Sequence, residues 1–382
     1  MDQLLPGDTD ERRISIRTWL AEHPRPTPRQ LAHAGYVAPH WPAPWGLAAD
    51  PIHQLIIDDE LSRAGVQRPS NAIGIGWAGP TIAYAGSEEQ KERYLFPLLT
   101  AEEIWCQLFS EPGSGSDLAS LSTRAERDGD HYIVNGQKTW TTLGQFGDWI
   151  FCLVRTDTTG KPQTGISFLL IDMRSPGVTV RPIRLLDGEC EVNEVWFDNV
   201  QVPAENLIGE ENKGWDYAKY LLAHERTNIA DVNRAKRELE RLKRIAKTEG
   251  VYEDVRFRDE IAKLEVEIVA LEMMVLRVLS AQTSGKSSLD IAGLLKIRGS
   301  EIQQRYAELM MLAAGPSALP YIFDAMEAGW QGDQVAGLSG FPGGNVHNAP
   351  LASTYFNMRK TTIYGGSNEV QRNIVAQTVL GS

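Results

Sequence analysis

Cysteine is scarce. The chain has three in 382 residues, Cys106, Cys152 and Cys190, with no CxxC pair and no metal-ligand spacing. That scarcity argues against a disulfide scaffold or a thiolate metal centre and predicts a reduced, cytoplasmic setting. Basic residues are in deficit as well. Lys and Arg number 38 against 50 Asp and Glu, a net charge of -12. A nucleic-acid binder needs a basic face to track phosphates, so no nucleic-acid partner is expected. A small anionic ligand stays possible, because a few local cations and backbone N–H groups suffice for one. No run approaches the ~18 consecutive apolar residues of a membrane span. The start, Met1-Asp-Gln-Leu-Leu-Pro-Gly-Asp, has no basic stretch followed by an apolar one, so no signal peptide is expected. What remains is ordinary for a globular protein of two or three domains, with 42% hydrophobic and 23% charged residues.

Three textures follow one another, giving an α+β reading. Residues 1–104 mix helical pieces with proline-rich breaks at His23–Pro28 and Ala38–Pro44, which read as loops between helices. Ile52–Ala64 and Glu88–Leu99 read as helices. Residues 105–208 turn to strands such as Ile150–Val154, Ile166–Ile171 and Val195–Phe197, rich in β-branched and aromatic residues. Asp128-Gly129 and Asn135-Gly136 supply the positive φ of tight hairpins, so both are expected to be turns. Residues 209–382 read as long helices: Lys213–Lys247, Glu253–Ser284, Ser288–Ala314 and Leu351–Ile363, the last resuming behind Ser367. Long helices with short joints predict a four-helix bundle. The charge-rich stretch Arg234–Glu267 reads as a solvated helical face.

The chemistry concentrates in a few segments. An apolar strand runs into Phe109-Ser-Glu-Pro-Gly-Ser-Gly-Ser-Asp117, whose Gly and Ser residues can offer closely spaced N–H and hydroxyl donors to a flavin edge or a phosphate. Spacing alone does not separate that loop from an ordinary Gly/Ser turn. Asn135-Gly-Gln-Lys-Thr-Trp-Thr-Thr142 adds an aromatic and two hydroxyls.

These two runs, with Ile363-Tyr-Gly-Gly-Ser-Asn-Glu-Val-Gln-Arg372, resemble the acyl-CoA dehydrogenase family in residues, order and spacing. Within it, the likeness is to a bacterial branch that includes the pimeloyl-CoA dehydrogenase large subunit. The resemblance covers nearly the whole chain. It implies a helical N-terminal domain, a middle β-barrel and a C-terminal helical bundle, with FAD as cofactor and acyl-CoA as substrate. It further implies an electron-transfer flavoprotein or similar acceptor and a homo- or hetero-oligomer, dimer or tetramer. It places Phe109 and Ser110 on the flavin ring, Ser116 by the pyrophosphates of FAD or CoA, Trp140 flanking the flavin and Thr142 near its N5 atom. Ser367, Asn368 and Glu369 are expected at the ADP half, on a helix N-terminus whose unpaired N–H groups favour anions. Cys190 falls where the family's barrel loop touches CoA.

The family's usual base departs here. Many members carry a Glu in a Tyr-Glu-Gly motif, and the equivalent position is Gly365, which cannot take a proton. A minority of branches use a bundle helix instead, which points to Glu225 in Leu221-Leu-Ala-His-Glu-Arg226. Helix geometry agrees: Leu221, Leu222, Glu225 and Ile229 form one apolar stripe, where a carboxylate loses hydration and its pKa rises. The competing reading is a structural Glu held by a cation. Arg226 could orient that carboxylate or touch CoA. Two family features are missing. No Arg-x-x-Phe-Gly segment lies between 234 and 267, and Met311–Ala318 replaces a Gln-x-x-Gly-Gly-x-Gly-Tyr run.

The expected reaction is α,β-dehydrogenation. Glu225 takes the α proton, the β hydrogen leaves as hydride to flavin N5, and the Gly365 N–H with the FAD ribityl 2′-hydroxyl stabilises the thioester oxygen. Two rivals stand beside it: a non-catalytic FAD- or CoA-binding subunit of a hetero-oligomer, and an oxygen-using flavin monooxygenase on the same fold.

Overall fold

The computed structural model describes residues 6–229, 232–283, 289–319 and 346–380, with backbone alone at 223–229, 279–283, 289–292 and 346. The chain divides into two compact units, residues 1–183 with 192–221, and residues 184–191 with 222–382.

The first unit opens with short helices, all but α4 starting on a side-chain cap. These are α1 (Glu11–Glu22), α2 (Pro28–His33), α3 (Pro51–Arg63), α4 (Gly79–Ala85) and α5 (Glu88–Leu99). Asp10 caps α1, Thr27 and Gln30 form a reciprocal capping box on α2, and Ser87 with Gln90 does the same for α5. Prolines therefore do more here than interrupt. Pro28 and Pro51 occupy the first turn of α2 and α3, where the missing N–H costs nothing.

The strands are β1 (Trp105–Leu108), β2 (Arg124–Asp128), β3 (His131–Thr142), β4 (Trp149–Arg155), β5 (Ile166–Asp172), β6 (Val178–Ile183) and β7 (Val192–Pro203). They form one curled sheet in the order β1-β4-β2-β3-β7-β6, with β5 paired to β4. Alternating inward residues of β3, β4, β5 and β7, including Tyr132, Val134, Ile150, Leu169 and Val195, fill its core. Asp128-Gly129 does form a hairpin, with Asp128 opposite His131 and Gly129 at φ +63°. Asn135-Gly136 does not. It lies inside β3, where the register with β7 shifts between Val134 and Gly136. Gly136 is needed there because an added Cβ would meet the Thr123 Oγ1 at 2.6 Å.

The helix α6 (Gly214–Ile229) begins in the first unit and runs into the second. There α7 (Val232–Thr248), α8 (Val255–Thr283) and α9 (Leu289–Ala314) pack around Leu239, Leu242, Leu264, Ile268, Ile302 and Tyr306. Gly250 and Gly315, both at positive φ, follow α7 and α9. The chain continues through α10 (Leu351–Met358) to α11 (Asn368–Leu380), and both lie against α9. The start of the expected Ser288–Ala314 helix, at Ser288, lies outside the described residues. Among those described, no helix is long and apolar enough to cross a membrane.

Candidate functional site

In the first unit the two motif segments meet through the backbone. After Leu108 the chain leaves the sheet, and the Ser110 carbonyl accepts a 3.0 Å hydrogen bond from the Thr139 N–H of β3. The loop then closes on itself: Glu111 and Ser114 exchange backbone hydrogen bonds of 2.8 and 3.0 Å. The Ser114 hydroxyl donates to the Asp117 carbonyl at 2.8 Å. Gly113 and Gly115 have no atom near the place of a Cβ, and Ser116 is exposed beside them. The outer rim of the loop is thus open to a ligand that approaches the backbone.

Under this rim lies an ion pair that the motif reading did not single out. Lys138 is wholly buried and donates to the Glu111 carboxylate at 2.8 Å and to the Phe109 carbonyl at 3.2 Å. Glu111 also accepts from the Ser122 N–H and hydroxyl at 2.7 and 2.8 Å and from the Thr123 N–H at 2.9 Å. Burial alone would push its carboxyl up. The Lys138 ammonium and these donors outweigh burial and hold it at about 2. A sequence signal existed: Tyr132, Val134 and Lys138 share the inward parity of β3, and a charge on that face requires a partner.

Trp140 is placed by a second irregularity in β3. Lys138 faces Val195 and Thr141 faces Asn193, so β3 carries one residue more than β7 over this stretch. That extra residue puts Trp140 at φ +62° and leaves the residue 58% exposed. A non-glycine residue in this region costs about 1–3 kcal/mol and persists only where its surroundings enforce it. Bulges of this kind re-aim side chains at functional sites. Thr142 is half-buried just beyond, and Leu143 and Phe146 extend the exposed apolar surface. An exposed indole, the Ser110 and Thr142 hydroxyls and an open Gly/Ser loop suit a flat, partly apolar ring with a hydrogen-bonding edge. A flavin ring fits that donor set.

The second unit holds the remaining candidates. Gly365 and Gly366 turn the chain at φ +64° and +81° into α11. The Ser367 hydroxyl accepts from the Val370 N–H at 3.3 Å. The Glu369 carboxyl is held below its ordinary range by its own N–H and by Ser367, so the first turn of α11 is already partly satisfied. Asn368 is buried. Its carbonyl oxygen accepts from Lys296 at 2.9 Å and from the Ser300 hydroxyl at 3.2 Å, so its amide fastens α11 to α9. Cys190 is half-buried and in no disulfide, within the segment 184–191. That segment is held to α10 and the turn after it: Asn357 donates to Asp187 and Glu191, and Lys360 pairs with Glu191. Glu225 and Arg226 lie on α6 by backbone, and their side chains fall outside the described residues. Among the described residues no cluster of His, Cys, Asp and Glu could hold a metal ion.

An exposed indole beside an open Gly/Ser loop on a curled sheet suits a flavin-dependent oxidoreductase, and comparison with known proteins specifies the class. Three family models match in sequence. The acyl-CoA dehydrogenase N-terminal domain covers residues 11–102, the middle domain 106–200 and the C-terminal domain 212–380. The acyl-CoA dehydrogenase IpdE1 of Mycolicibacterium smegmatis is 31% identical over 98% of each chain. The acyl-CoA dehydrogenase FadE34 of Mycobacterium tuberculosis is 36% identical over 92% of this chain, which spans only 45% of that protein's length. Among solved structures, the Tcur3481-Tcur3483 steroid ACAD superposes with a TM-score of 0.78 at 27% identity, covering 100% of this chain and 99% of that one. The chain belongs to the acyl-CoA dehydrogenase family, and it is an oxidoreductase of CH–CH bonds with a flavin cofactor.

Proposed function

We propose that this chain oxidises an acyl-CoA thioester to the trans-2-enoyl-CoA, using FAD and Glu225 as the α-proton base. The observation that carries the reading is the bulge that presents Trp140 beside the Ser110 loop, in a chain matched along nearly its whole length by family models. Bound FAD would supply the hydride acceptor for the β hydrogen. The chain's own residues do the rest. Trp140 gives the ring an apolar platform, while the Phe109 ring is buried against Phe151 and Phe168 and only its backbone can face the flavin. The backbone around Phe109 and Ser110, with the Ser110 and Thr142 hydroxyls, meets the polar edge. Ser116 serves the pyrophosphates, and Ser367 with the backbone of Asn368 and Glu369 holds the ADP half. Cys190 and Arg226 belong to the CoA side.

Proton removal α to a thioester needs both a base and a donor to the thioester oxygen. Glu225 is the base in this reading, and the Gly365 N–H is the donor, of a kind that contributes about 3–4 kcal/mol in a dry site. Gly365 has a left-handed backbone, where any L side chain is strained by about 1–2 kcal/mol. That strain supports a base supplied from elsewhere. The test is Glu225→Gln, which keeps shape and removes basicity. Acyl-CoA should still bind and perturb the flavin spectrum while flavin reduction falls about 10²–10⁴-fold. Full activity in the folded variant would remove Glu225 from the role.

A second reading has its own support. The steroid ACAD is named for two gene products, and FadE34 is more than twice the length of the segment this chain matches. Under this reading the chain works as one of two unlike subunits, takes a steroid-like acyl group, and draws part of the site from its partner.

A further inference from the structure

The buried ammonium of Lys138 touches no solvent, and none of the expected contacts to cofactor or substrate uses it, yet the two acceptors it donates to both belong to the Ser110 loop. One is the Phe109 carbonyl. A trans peptide is planar with its C=O and N–H on opposite sides. Drawing the Phe109 carbonyl inward therefore turns the Ser110 N–H the other way, out of the core. The other partner is the Glu111 carboxylate, which also gathers the Ser122 N–H, the Ser122 hydroxyl and the Thr123 N–H from the far end of the same loop. Lys138 immediately precedes Thr139, whose N–H ties β3 to the Ser110 carbonyl at 3.0 Å, and Trp140 comes next. One ammonium thus fixes the direction of a loop donor and the attachment of that loop to the strand presenting the indole.

We infer that Lys138, with Glu111, is a positioning residue for the flavin: from inside the sheet it aims the Ser110 N–H outward and locks the Ser110 loop to the Trp140 bulge. This rests on the flavin placement proposed above. A salt bridge that served only folding would leave cofactor affinity and spectrum unchanged in whatever protein folds. One that positions the ring's donors must alter both.

The experiment strips FAD from the full-length protein and titrates it back into wild type, Lys138→Met, Glu111→Gln and Trp140→Ala. Flavin fluorescence gives the Kd, the visible absorption bands report the ring environment, and circular dichroism checks folding. Lys138→Met should raise the FAD Kd by about tenfold or more, the scale of one lost charged hydrogen bond, and shift the visible bands. Glu111→Gln should move both in the same direction by less, because it keeps one acceptor for Lys138. If Trp140→Ala weakens FAD while folded Lys138→Met binds and absorbs as wild type, the positioning role is overturned and the flavin placement stands. If both variants bind as wild type, the placement itself is wrong. Should Lys138→Met fail to fold because it strands a buried carboxylate, the neutral pair Glu111→Gln with Lys138→Met takes its place. Wild-type affinity and spectrum in that protein, or failure to fold, would overturn the inference.

Discussion

A single hydroxyl and a single carboxylate give the sharpest tests at the residue scale. Thr142 is half-buried at the end of β3. If its hydroxyl donates to the flavin, Thr142→Val should fold normally yet slow single-turnover flavin reduction, because charge arriving on the ring loses a donor worth about 1 kcal/mol. Unchanged reduction would take Thr142 off the flavin. Glu111 predicts a pH dependence. Its folded pKa is lowered from 4.5 to about 2, so the stability it contributes is complete above pH 4.5 and is lost as pH falls toward 2. Melting curves should show the gap between wild type and Glu111→Gln closing across that window. A gap that stayed constant down to pH 2 would mean that the carboxylate is not held this way. The thiols divide as sharply. Burial pushes Cys106 and Cys152 up to about 12, leaving both inert at neutral pH. A thiol reagent should label Cys190 alone in the native protein, and labelling of either buried thiol before unfolding would contradict the burial.

Element geometry accounts for what the sequence hid. The two Asx-Gly pairs look alike as text, yet one closes the β2–β3 hairpin and the other sits within β3, opposite an extra residue of β7. The difference lies across the strand pair: Thr123 occupies the space beside Gly136, while Gly129 has open space around it. Gly136→Ala should therefore destabilise the protein by about 1–3 kcal/mol through overpacking. Gly129→Ala meets no atom and should cost only the backbone strain of φ +63°, about 1–2 kcal/mol. Chemical denaturation of the two variants compares them directly, and a Gly136→Ala protein as stable as wild type would refute the close approach of Thr123. Helix limits were easier to read because they depend on local caps and stops. The expected Glu88–Leu99 helix matches α5 residue for residue, and α9 ends at Ala314 before Gly315 as expected. Helices α1, α2 and α4 were less legible: α1 has a weak apolar stripe, and the other two are shorter than two turns.

The whole molecule joins these local readings to function. Family motifs made the Ser110 loop, the Trp140 strand and the glycine turn before α11 visible from sequence, because each needs particular residues at particular places. The Lys138–Glu111 pair was hidden because its partners are 27 residues apart in sequence and only the folded sheet brings them together. Asn368 shows the opposite limit: its motif position suggests a cofactor contact, while its buried amide is engaged by Lys296 and Ser300. The central claim is that this flavoprotein removes hydrogen from the α and β carbons of an acyl-CoA. Anaerobic titration of the FAD-loaded protein with straight-chain and ring-bearing acyl-CoA thioesters, with absorbance followed near the flavin's visible maximum, tests it most directly. At least one thioester should bleach the flavin stoichiometrically and yield the 2-enoyl product. A flavin that stays oxidised with every thioester, both alone and with a candidate partner subunit, or that is reduced only by a nicotinamide and reoxidised rapidly by oxygen, would contradict the account.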